Sequence, residues 1–311
     1  VLKSDQFKEI KIRQKKAIKE GELYGIGYSA IVEPSISNMG YITTALPFKE
    51  REKTGHKGGA ITSASVSIGP TGGVYVTCDS IPQGQGHKTV LSQVVADVFG
   101  INIENILVNG ELDTQKDAWS IAAGNYSSRF AGAVAGTTFL AAEKLKKRLL
   151  KIASSKLNSI EENIIFDNNY VLDKNNLDNR ISFNRLVGSV HWSPGDLPEN
   201  CENGLRETIH WTPPQLSPPN NKDQINGSLA YGFVFDVCGL RINPMTGKTK
   251  IDRYITGHDA GKIINPLLAN GQIYGAFAHG VGAALYEEFK YTNDGSFLAG
   301  TFADYLLAST K

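Results

Sequence analysis

The chain has 311 residues, enough for two lobes with real cores, and a formal charge of +1. With no basic tract beyond the helix face at residues 144–151, that balance excludes nucleic acid and an anionic membrane as natural partners. No apolar run reaches the ~18 residues of a membrane span, and Cys78, Cys201 and Cys238 stand apart without a CxxC pair, so no metal site is expected in this chain and the thiols fit a reducing, cytoplasmic compartment.

In chain order, residues 7–20 read as a basic amphipathic helix stopped at Gly21, the tail of a preceding lobe. Residues 24–33 and 61–68 alternate small and apolar positions as strands do. The glycine-rich turn at residues 69–73 then returns the chain into a third strand, 74–78. Next comes the most informative turn, Gly84-Gln85-Gly86-His87-Lys88-Thr89, followed by Val90, Leu91, Val94, Val95 and Val98 at helical spacing up to Gly100. Two glycines let the backbone come close to a ligand, the new helix presents unpaired N–H groups, and Gln85 adds an amide. As residues alone, this turn serves either a ligand or a plain strand-to-helix reversal. Residues 103–108 read as a further strand, and the polar stretch 109–120, with Asp113, Lys116 and Asp117, as a loop at the surface or at a site.

The second donor-rich stretch is Ala122-Ala123-Gly124-Asn125-Tyr126-Ser127-Ser128-Arg129, which opens a long helix over residues 130–157. Ser127 or Ser128 is placed to cap it, and the hydroxyls, N–H groups and arginine suit an anion. Gly132 and Gly136 give its first turns a face for close packing, with the buried end at its start. Residues 158–223 lose periodicity and read as a long irregular connection with a short helix at 181–190. An antiparallel group follows at 230–236, 239–242 and 250–256. The last helix, about 267–288, starts at Pro266 and carries Gly271, Gly275, Gly280 and Gly282 beside Gln272. Each glycine costs a helix ~1 kcal/mol relative to alanine, so close packing or a ligand is expected there. A hairpin at Asn293-Asp294-Gly295 and the run 302–307 close the chain.

Taken together, Gly84-Gln85-Gly86-His87-x-Thr89, Gly124-Asn125-Tyr126-Ser127-Ser128-Arg129, Asp259-x-Gly261 with Ile264-Asn265-Pro266, Gly271-Gln272-x-x-Gly275 and Phe302-x-Asp304-Tyr305 resemble the molybdenum-binding large subunit of the xanthine dehydrogenase and aldehyde oxidase family. The carbon monoxide dehydrogenase-like branch is the nearest in pattern. Pro82-Gln83 before the GQG turn and Ala308 after Asp304-Tyr305 depart from it. The resemblance covers residues 21–311 and implies an α+β fold with mixed sheets, long helices and two cofactor-binding lobes, joined here through 158–223.

The resemblance further implies a molybdenum-molybdopterin cytosine dinucleotide cofactor, with FAD and 2Fe-2S centres in partner subunits. It places Gly84, Gln85 and Gly86 against the pterin and the molybdenum oxo group. Gly124, Asn125, Tyr126 and Ser127 would line the metal and the pterin or diphosphate, Ser128 and Arg129 would lie nearby, and Gln272 would reach in from the last helix. The activity implied is oxidation of an aldehyde, an N-heterocycle or carbon monoxide with water-derived oxygen. The alternative function is a non-catalytic phosphate or nucleotide binder, or a cofactor carrier. No catalytic residue is assigned within the chain. The resemblance implies a glutamate base several tens of residues beyond the 302–305 run, and a substrate loop more than a hundred residues before the GQG turn, where 83 residues stand here, so the chain is expected to be inactive alone. Glu287 and Glu288 read as a solvated pair.

Overall fold

The computed structural model describes residues 1–54, 61–115, 119–120 and 123–309; Lys116, Asp117 and Ala122 lie outside them. It is α+β, with two compact units: Val1–Pro82 with His87–Lys262, and Gln83–Gly86 with Ile263–Lys311.

The larger unit opens with helix α1, Asp5–Lys19, whose N-cap Ser4 Oγ accepts from the Phe7 N–H at 3.2 Å. Strand β1, Leu23–Ser37, runs into a 3₁₀ turn and helix α2, Phe48–Thr54. Strands β2, Thr62–Ile68, and β3, Val74–Cys78, form the expected hairpin, and helix α3, His87–Phe99, follows the GQG turn. Gly100 ends α3 at φ +58°, the left-handed stop that favours glycine.

Strand β4, Ile106–Asn109, runs parallel to β3, and a π-helical turn, Phe130–Ala135, leads into helix α4, Gly136–Leu157. The stretch read as irregular, 158–223, is ordered over much of its length. Strands β5, Ile164–Asp167, β6, Tyr170–Asp173, and β7, Asn176–Ser182, make an antiparallel sheet, and helix α5, Phe183–Trp192, follows. Strand β8, Arg206–Trp211, pairs with β2. The strands read separately at 230–236 and 239–242 are one, β9, Ser228–Ile242, flanked by β1 and by β10, Thr249–Asp259.

Three sheets result, ordered β1-β9-β10, β4-β3-β2-β8 and β5-β6-β7. Helices α3 and α4 pack on the second, where Val66, Val74, Val76, Leu91, Val95, Phe99, Leu145 and Leu149 are sealed from water. Helix α1 packs on the first sheet through Ile10 and Ala17 against Tyr24 and Val237.

The smaller unit carries helix α6, Pro266–Leu285, with Pro266 in the first turn and Asn265 Oδ1 accepting from the Leu268 N–H at 3.0 Å. After it the chain forms a turn at Gly295 with a single bridge between Tyr291 and Phe297, and an aromatic group of Phe289, Phe297 and Tyr305. Among the described residues close packing accounts for Gly282, against Glu287, but not for the other three α6 glycines. A Cβ at Gly271, Gly275 or Gly280 meets nothing within 4 Å.

Candidate functional site

Strand β3 delivers Asp79 and Ser80 to a buried position at the head of the GQG turn; their exposures are 0% and 2%. The turn itself belongs to the smaller unit. Gly84 and Gly86 adopt φ +98° and +85°, which an L side chain rarely accepts. A Cβ on Gly86 would also stand 2.5 Å from Leu268 Cδ1, in the first turn of α6, so both backbone and space require glycine there. Gln85 folds its carboxamide back, Oε1 accepting from the Gln83 N–H at 2.6 Å, which leaves its NH₂ group unpartnered among the described residues. Gln272 stands one helical turn beyond Leu268 on α6, so the two share a helix face.

In the larger unit the loop 124–129 is held from several directions. Gly124 adopts φ +144°, and its N–H donates to the Asp79 carbonyl at 3.0 Å. Asn125 commits its whole side chain to the segment that precedes the GQG turn: Oδ1 accepts from Ser80 Oγ at 2.6 Å, and Nδ2 donates to the Ile81 carbonyl. Ser127 and Ser128 both adopt left-handed backbones, φ +61° and +44°. Neither caps the helix. Ser127 Oγ instead accepts from the Ser37 N–H at 2.6 Å and donates to Ser37 Oγ, and Ser128 Oγ reaches Glu33 at 3.4 Å. The helix begins as a π turn because the loop enters it already tied to β1. There Ile36, itself at φ +59° and buried, packs its Cδ1 against Gly132.

With the side chains so committed, the backbone N–H groups of Asn125, Ser127 and Ser128 have no partner among the described residues. Such donors on a left-handed pair make a concavity suited to an anion or to carbonyl oxygens. Tyr126 is the loop's outward side chain, and burial of its ring raises the phenol's pKa.

Arg129 turns inward. Its side chain is 1% exposed and pairs with Asp79 at 3.3 Å, which is 0% exposed. Asp79 Oδ2 also accepts from the Ser63 N–H at 3.0 Å and from Ser120 Oγ.

His87, the first residue of α3, lies 2% exposed with its ring stacked on Phe130 at 3.6 Å. Burial lowers its pKa to about 4, so the imidazole is neutral. Nδ1 of His87 lies 3.5 Å from Ser80 Oγ, which gives its proton to Asn125, and Nε2 is buried with no hydrogen-bond partner among the described residues.

Sequence reasoning missed Asp79, Ser80, Ser37 and Thr62. A lone carboxylate closing a strand just before GQG was the available signal for Asp79; Ser37 carried none. Among the described residues no group of three or more His, Cys, Asp or Glu could hold a metal, and no helix is long and apolar enough to cross a membrane. Glu287 Oε2 accepts from Tyr305 Oη at 2.7 Å, and Glu288 pairs with Lys290 at 3.1 Å.

The family model described as molybdopterin cofactor-binding domain matches residues 1–311. The large subunit of nicotine 6-hydroxylase from Paenarthrobacter nicotinovorans is 31% identical over 94% of this chain and 33% of its own length. The carbon monoxide dehydrogenase large chain of Hydrogenophaga pseudoflava is 30% identical over 80% of this chain and 29% of its own. Among solved structures, quinoline 2-oxidoreductase from Pseudomonas putida 86 superposes with a TM-score of 0.77 at 26% identity, over 97% of this chain and 35% of that one. The chain thus spans about a third of the length of these relatives. These matches do not favour the plain nucleotide-binding or carrier alternative.

Proposed function

The chain belongs to the molybdopterin cofactor-binding domain family, and from that premise we propose that it forms part of the cofactor site of a molybdenum hydroxylase that oxidises an N-heterocycle. Two relatives whose names state such substrates, nicotine and quinoline, lie behind that choice of class, and carbon monoxide dehydrogenase large chains match to a similar degree. The proposed cofactor form is the cytosine dinucleotide, in the cytoplasm, with iron-sulfur and FAD subunits as electron acceptors; three unpaired cysteines suit that compartment.

The observation that carries the reading is the loop 124–129, whose polar side chains are spent on the protein while the N–H groups of Asn125, Ser127 and Ser128 are left to donate. These residues fit a polyanionic, oxygen-rich pterin. Gly84 offers backbone with no neighbouring atom where a side chain would stand, the Gln85 amide swings to donate, and Gln272 presents a second amide. In the larger unit, Ser127, Ser128, Tyr126 and Gly124 supply contacts of their own in this proposal, and Arg129 braces that loop from within the same unit. When bound, the cofactor supplies a molybdenum centre that accepts two electrons from substrate while oxygen from water enters the product. In this proposal the chain's own residues bind and orient that group.

The test is purification of the complete large subunit with its partners from a host that makes molybdopterin, followed by metal analysis and acid release of the nucleotide. Near-stoichiometric molybdenum with cytidine monophosphate is expected, together with turnover of pyridine- or quinoline-type rings. A complex without molybdenum or pterin would end the proposal.

A further inference from the structure

We infer that the buried Asp79–Arg129 pair is a positioning bracket that fixes the backbone of the 124–129 loop, and that Arg129 makes no contact with the cofactor's phosphate. The inference rests on the cofactor reading above and goes beyond it, because an arginine at the mouth of a helix after two serines is the residue one would first assign to an anion.

The geometry assigns it elsewhere. Arg129 Nη2 lies 2.7 Å from Thr62 Oγ1, 3.1 Å from the Ile61 carbonyl and 3.3 Å from Asp79 Oδ2, while Nη1 donates to the Gly124 carbonyl at 3.2 Å. Those acceptors come from the start of β2, from the residue after β3 and from the first glycine of the loop. Asp79 completes the bracket from the other side, its main-chain carbonyl accepting from the Gly124 N–H at 3.0 Å. Gly124, at φ +144°, is therefore gripped at both its N–H and its C=O by the two members of one ion pair. Arg129 closes the far end of the same loop by its place in the chain. A guanidinium can span these acceptors because its donors form a planar fork; an ammonium is a single point and cannot.

The bracket and a phosphate ligand make opposite demands on substitution. A phosphate contact acts only on the bound ligand and leaves the backbone of the empty loop as it was. A bracket needs the fork, and removing both partners together costs less than removing one.

The experiment uses the complete large subunit with its partner subunits, as wild type, Arg129→Lys, Arg129→Met and the double variant Asp79→Leu/Arg129→Met. Two quantities are read: molybdenum per polypeptide, and amide hydrogen exchange of the peptide containing Gly124 in protein from molybdate-starved cells. Arg129→Lys is expected to lose about fivefold in molybdenum and to speed Gly124 exchange about tenfold, with the double variant holding roughly threefold more molybdenum than Arg129→Met and slower exchange. Wild-type loading and exchange in Arg129→Lys would overturn the inference. So would a double variant with wild-type exchange that stays as empty as Arg129→Met, since the loop would then be held and the arginine needed by the ligand itself. If the wild-type complex carries no molybdenum the functional reading falls, and the exchange measurement alone still decides whether the pair is a bracket.

Discussion

The two glycine-bearing regions of this chain are built on opposite plans. Around the loop 124–129 nearly every polar side chain is locked onto the protein, and the ion pair at its base is sealed from water at 1% and 0% exposure. Helix α6 has no such bracing. Leu267 and Tyr274 stand 81% and 71% exposed, and three of its glycines meet no neighbouring atom within 4 Å. The contrast teaches that a loop is made rigid by polar side chains turned onto the protein, whereas an open helix offers shape. Its carboxylates show the difference in strength: Asp79 works in a dry interior, while Glu288 meets Lys290 with both side chains more than 60% exposed.

Breaking the buried pair from one side gives the largest effect. Asp79→Ala leaves the guanidinium of Arg129 buried without its carboxylate and is expected to cost about 3–5 kcal/mol, read as a lowered urea midpoint. Glu288→Ala removes a solvated pair and is expected to change stability by no more than ~0.5 kcal/mol. Equal effects from the two would erase the distinction between the regions.

Next in size is a pH effect confined to the braced region. His87 has its pKa lowered to about 4 by burial, below its ordinary 6.5. Between those values the unfolded chain binds a proton that the folded chain refuses, so stability rises with pH across that window and is lost as pH falls from about 6.5 to about 4. The full loss is about 3 kcal/mol. His87→Phe keeps a ring on Phe130 and cannot ionise, and the expected result is a flatter curve of urea midpoint against pH. An unchanged slope would assign the acid sensitivity to other groups.

How much of this was legible beforehand follows from the range of the interactions. Helices α1, α3, α4 and α6 are announced by local period, by Gly21 and Gly100 at their ends and by Pro266 at a start, and the β2–β3 hairpin by its glycine turn. The sheet β5-β6-β7 was invisible because Asn168 and Asn169, which read as loop composition, are the two left-handed residues of a tight hairpin, φ +48° and +64°. Strand β8 owes its identity to β2, some 140 residues away, and has little of its own. At the site, the glycines and the donor-rich loop could be read directly. That Arg129 faces inward could not, because its partner Asp79 is 50 positions earlier and nothing local distinguishes a bracket from an anion ligand.

The smallest effect is the sharpest on sign, because one substitution is made in both regions. Gly132→Ala, in the braced region, would set a methyl 2.8 Å from Ile36 Cδ1, and Ile36 is buried, so its terminal methyl must turn aside within a packed interior. Overpacking of that kind is expected to cost about 1–2 kcal/mol, offset by up to ~1 kcal/mol of alanine's helix propensity. Gly275→Ala, on α6, meets nothing within 4 Å, and alanine's higher helix propensity is worth up to ~1 kcal/mol. The same methyl should therefore lower the melting temperature at 132 and raise it at 275 when both are measured in the isolated chain. Thermal unfolding followed by circular dichroism checks the pair. A fall at both positions would show that α6 is packed as closely as the loop, and the difference in plan between the two regions would have to be given up.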